Sequence, residues 1–131
     1  MRNQTTFAPV GVLDQVIDGA GLLALRSAVT AHAAELVSGD RLDDVVLVAH
    51  ELATNVVRHG GGHGWLRLWP ADGQLVCQVS DHGPGLIDPG PEPPAPGEPG
   101  GRGLWIARRL AHVRIITGPY GTRVTAAFDI P

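Results

Sequence analysis

The sequence predicts a two-layer α/β (α+β) sandwich: a mixed or antiparallel sheet with its helices on one face. Three observations predict it. At 131 residues with 44% hydrophobic and 18% charged side chains, the chain supports one core and one domain, residues 1–131. Its candidate elements run α, α, β, β, long loop, α, β, β, with no internal repeat. Hydrophobic spacing switches from the helical period to the two-residue period of strands where that order requires it.

The elements follow from local pattern. Thr5 to Val10 fits an edge strand, although Pro9 weakens it. Leu22 to Val37, rich in alanine and leucine, predicts a first helix. Ser38-Gly39-Asp40 breaks it, with Asp40 as N-cap of a second helix over Arg41 to Arg58. There Leu42, Val45, Val46, Ala49, Leu52, Ala53 and Val56 recur at offsets of three, four and seven, which defines one buried stripe. The glycine-rich run from His59 to Gly64 ends it. Trp65–Trp69 and Leu75–Ser80 read as strands joined by Pro70-Ala71-Asp72-Gly73, in which Asp-Gly is a strong hairpin signal. Leu104–Ala111 reads as a short helix, and Val113–Thr117 with Arg123–Ile130 as a closing hairpin. Between these pairs, Asp81 to Gly101 holds seven prolines and six glycines and excludes regular structure. Thirty residues after it are too few to fold alone, so the stretch is expected to act as a lid, about residues 86–100, within one domain.

Composition excludes several functions. The net charge of −3 gives no general affinity for nucleic acid or for an anionic membrane surface. A single cysteine forbids an internal disulfide and a thiolate zinc cluster. All ten basic residues are arginine. Without lysine there is no Walker-A P-loop, no eukaryotic-type protein kinase and no Schiff-base chemistry. The opening residues lack the apolar core of a secretory signal, and no apolar stretch approaches a membrane span, so a soluble cytoplasmic protein is expected.

Three short motifs carry possible chemistry. Glu51 and Asn55 stand four apart on the second helix and share a face, where a carboxylate and a carboxamide oxygen can meet one hard cation and a water. Asp81-His82-Gly83-Pro84-Gly85 ends a strand, so its glycines let backbone approach a ligand while the carboxylate accepts from an amino group. Gly100-Gly101-Arg102-Gly103-Leu104 opens the last helix, and glycine-rich backbone at a helix start suits an anion. Taken singly, each also fits a blander role: a solvated polar face, a turn and an ordinary helix start. Cys77 reads as a small buried hydrophobe, and the tryptophans as packing or interface residues. His59 and His63, separated by three glycines, make a poor metal pair.

In order, the chain shows E-L-A-T-N-V-V-R-H-G, D-H-G-P-G, a lid, G-R-G-L-W-I-A and G-T-R-V. This series resembles the asparagine box and glycine boxes of the GHKL ATPases, the superfamily of gyrases, heat-shock chaperones, histidine kinases and mismatch-repair ATPases. It looks most like the short anti-sigma-factor serine/threonine kinases. The resemblance spans residues 5 to 130 and implies a Bergerat-type ATP-binding fold with ATP and magnesium (Mg2+) as cofactors. It implies Glu51 as general base, Asn55 as magnesium ligand and Asp81 as reader of the adenine amine, with Gly83 and Gly85 leaving room for the nucleotide. Gly101, Gly103 and Leu104 match the segment whose amides face the phosphates, and Thr122 matches a threonine that helps hold adenine. Arg58, His59 and Gly60 complete the asparagine box, and His59 equally fits a helix-end cap. Arg102 is the candidate contact to the terminal phosphate, against an ordinary surface role.

The resemblance further implies partners: a sigma factor, an anti-sigma antagonist protein bearing the phosphorylated serine or threonine, and a second copy of the chain in a homodimer. Two other readings stand beside it. One is the ATP-binding catalytic module of a histidine kinase, whose phosphoacceptor helices this sequence does not show. The other is a nucleotide-gated binding module without catalysis, which has no need of Glu51.

Overall fold

The computed structural model describes residues 12–83 and 102–131. The strand expected over Thr5–Val10, and the lid with Gly85 and Gly101, lie outside the described residues. Five strands form one antiparallel sheet in the order β1-β2-β3-β5-β4. They are β1 (Leu13–Ile17), β2 (Gly64–Ala71), β3 (Gln74–Asp81), β4 (His112–Gly118) and β5 (Gly121–Asp129). Three helices, α1 (Leu22–Ala33), α2 (Gly39–His59) and α3 (Arg102–Leu110), complete the α+β sandwich.

The core lies between the helices and one sheet face. Leu66, Leu68, Leu75, Cys77, Val79, Val124, Ala126 and Phe128 alternate along β2, β3 and β5 toward it. From the other side α2 buries Val45, Ala49, Leu52, Ala53 and Val56, the stripe its periodicity predicts, together with Val48. Polar residues occupy most of the opposite sheet face, where Arg67 pairs with Asp14 across β1 and β2 at 2.8 Å. That carboxylate holds the Arg67 guanidinium above its usual pKa. The pair is solvent-exposed and contributes little to stability.

Four local readings are corrected. The first helix ends at Ala33, not Val37, because the chain leaves it through a turn at residues 34–36 before burying Val37. Asp40 is not the N-cap: Ser38 holds that position in extended backbone, and Asp40 lies in the first turn, where its charge still faces the positive end of the helix. Strand β1 was hidden because its pattern misleads: Val16 points out and Gln15 inward. The β2–β3 turn is tighter than a four-residue loop. Asp72 and Gly73 both take positive φ, at 51° and 76°, the two-residue geometry that matches strand twist.

Helix α2 ends where the site begins. Gly60 and Gly62 both donate backbone N–H bonds to Val56 O, at 2.9 and 3.1 Å, and the positive φ of Gly61 and Gly62 turns the chain straight into β2. No helix among the described residues is long and apolar enough to cross a membrane.

Candidate functional site

Two adjoining cavities run along α2, and Asn55 lines both. The first is a narrow slot of about 20 Å³ between the last turns of α2 and the ends of β3 and β5. Leu52, Val56, Val79 and Val124 form its apolar walls, and Asp81 and Thr122 supply polar groups. The second, about 340 Å³, lies between α2 and α3 and is lined by polar side chains that include Glu51, Asn55, Arg58 and Arg102. In chemistry the first matches the edge of a heterocycle, which needs its walls to part, and the second matches an anionic tail.

Asp81 is held by its surroundings. Strand register sets it opposite Thr122 on β5 and Gly64 on β2. The Gly83 N–H donates to its Oδ1 at 2.8 Å, which fixes the carboxylate and leaves Oδ2 to accept from a ligand amine. That oxygen lies against Gly60, where an added Cβ would come within 2.5 Å of it. Gly83 in turn packs on the Gly60 backbone, and Gly60 on the Asp81 carboxylate and Val56 Cα, so neither position admits a side chain without movement. The glycines flanking Asp81 therefore serve close approach of backbone to backbone rather than loop flexibility. Thr122 is buried, and its Oγ1 lies 3.1 Å from Thr117 Oγ1 on the neighbouring strand.

The second cavity brings α3 against the asparagine box. A Cβ at Gly103 would lie 3.0 Å from Asn55 Nδ2 and 3.3 Å from Glu51 O, so the glycine permits α3 to start directly over these residues. Leu104 is buried and anchors that start in the core. Arg58, His59 and Arg102 are exposed at the rim. No hydrogen bond or ion pair occupies the side chains of Glu51, Asn55, Arg58 or Arg102 among the described residues. A carboxylate, a carboxamide and two guanidiniums thus share one cavity without pairing with one another.

Among the described residues no group of three or more His, Cys, Asp or Glu side chains is arranged to hold a metal. A cation in the cavity would therefore take Asn55 Oδ1, phosphate oxygens and water, a donor set of hard oxygens that fits magnesium and excludes a dedicated protein cage. Sequence reasoning missed His50, Thr54 and Ile106 as lining residues. Helical spacing was the available signal for His50 and Thr54, since they flank Glu51 on the strip of α2 that meets α3.

The comparisons agree with this geometry. Residues 19–128 match the family described as the histidine kinase-like ATPase domain. The chain belongs to that family, whose members bind ATP, and so to the GHKL superfamily. Among solved structures, it is similar to the histidine kinase domain of a blue-light activated histidine kinase from Erythrobacter litoralis. That likeness has 22% identity and a TM-score of 0.57, and covers 86% of this chain and 60% of the other. No curated protein is found to match the chain.

Proposed function

We propose that this ATP-binding module transfers the terminal phosphate of magnesium–ATP to a protein, acting as a serine/threonine kinase on an anti-sigma antagonist and sequestering a sigma factor. The observation that supports it most is the junction at Asn55, where an apolar cavity with one fixed carboxylate opens into a polar cavity with unpaired charged groups. In this reading Asp81 Oδ2 accepts from the exocyclic amine of adenine, and the apolar walls exclude water from the ring. Amides at the start of α3, with Arg58 and Arg102, orient the phosphates. Glu51 takes the proton from the attacking hydroxyl. A magnesium ion at the phosphates would be held by Asn55 Oδ1 and would offset their negative charge.

A second reading follows from the solved structure: the catalytic and ATP-binding module of a histidine kinase, with its phosphoacceptor helices elsewhere. The two differ in the bond formed, and the product separates them. Incubation with γ-labelled ATP and candidate acceptors, either antagonist proteins or dimerisation-and-phosphoacceptor domains, gives a phosphoprotein whose stability in acid is then measured. Phosphoserine or phosphothreonine survives acid, whereas phosphohistidine is lost. An acid-stable product on an antagonist supports the first reading; an acid-labile product overturns it for the second. Labelling that never exceeds nucleotide binding leaves a gated binding module.

A further inference from the structure

His50 lines the cavity between α2 and α3 beside Glu51 and Arg102, and its buried Nδ1 has no hydrogen-bond partner. The ring makes no other polar contact among the described residues. Helical rise places it about 7.5 Å from Asn55 along α2, on the side away from the apolar cavity. An extended triphosphate that passes Asn55 would reach its far end there.

We propose that His50 donates a hydrogen bond from Nε2 to the terminal phosphate and so makes the site prefer a nucleoside triphosphate to a diphosphate. The inference rests on the nucleotide reading above. Two observations carry it. Nδ1 is shut off from water and has no acceptor to receive a proton, and an orphaned lone pair costs less than an orphaned N–H. The neutral ring therefore carries its hydrogen on Nε2, the nitrogen that is not closed off. Around it, the other ionisable groups lining the cavity are Glu51, Arg58, His59 and Arg102, a set whose cationic members draw an anion into reach of the ring.

The test uses the whole chain and compares affinities, by calorimetry with magnesium, for a non-hydrolysable ATP analogue and for ADP. His50→Leu removes the donor, His50→Gln places an amide N–H near the position of Nε2, and His50→Asn reaches only as far as Nδ1. The expected result is an analogue affinity about tenfold weaker in His50→Leu and in His50→Asn, ADP affinity within about twofold of wild type, and recovery in His50→Gln. Equal losses for both nucleotides would show a structural role and overturn the proposal. So would unchanged affinity in all three variants, or rescue by asparagine instead of glutamine. If the leucine variant does not fold, the glutamine–asparagine pair decides alone. A wild-type chain that binds neither nucleotide would overturn the nucleotide reading itself, a failure distinct from that of His50.

Discussion

Glu51 and Asp81 test the site residue by residue, because each carboxylate is given a different task. Asp81→Asn replaces an acceptor with a group that can turn a donor toward the adenine amine, and also disturbs the bond from Gly83 N–H. Loss of a charged hydrogen bond of about 1.5–3 kcal/mol predicts ATP affinity lower by roughly ten- to a hundredfold, measurable by calorimetry. Glu51→Gln is expected to leave that affinity within a few-fold while phosphotransfer falls by about 10²–10⁴, since the amide keeps the shape and cannot take the proton. A glutamine variant with the wild-type transfer rate would remove Glu51 as the base. Cys77 tests the core instead. Burial pushes its thiol up to about 12, so it stays protonated in the folded protein. A thiol reagent at pH 8 should label it only as fast as the chain unfolds. Because the folded value is raised, stability is complete below the ordinary thiol range near 9 and declines as pH climbs from there toward about 12.

At the scale of elements, α2 was legible because its apolar offsets and its buried face are the same fact seen twice. The hairpins were legible because Asp72-Gly73 and Gly118–Gly121 mark turns that only certain backbones make. The motif residues Glu51, Asn55, Asp81, Gly103 and Thr122, spread over α2, β3, α3 and β5, line two adjoining cavities along α2. What the sequence could not carry was distance: that Gly83 rests on Gly60, or that Gly103 lets α3 start over Asn55, depends on how α2, α3 and β3 meet. His50 was illegible for the same reason, since its significance lies in an orphaned atom. Strand β1 was missed because Gln15 faces the core side and Val16 the solvent, so its alternation is reversed at two positions. These close approaches predict that Gly83→Ala destabilises the fold by about 1–3 kcal/mol, through backbone that must move. Thermal melting gives that number, and a melting temperature equal to wild type would show that the Gly60–Gly83 contact yields easily. Leu52→Ala, which hollows the wall between core and apolar cavity, should cost about 2–5 kcal/mol and weaken ATP in the same variant.

On the scale of the whole molecule, the two faces of the sheet differ in what covers them. Helices cover one side of the sheet and build both cavities, while the other side remains open to solvent and presents Trp65 and Ile116. The central claim concerns the first side: one chain, without a lysine, holds ATP by a carboxylate at the base and by Asn55 with magnesium at the phosphates. Calorimetric titration of the wild-type chain with ATP, with and without magnesium and beside Asn55→Ala, tests it most directly. The account predicts binding to wild type that weakens strongly when magnesium is chelated, and an Asn55→Ala variant whose weaker binding no longer responds to the metal. Equal ATP affinity with and without magnesium in the wild-type chain would contradict it.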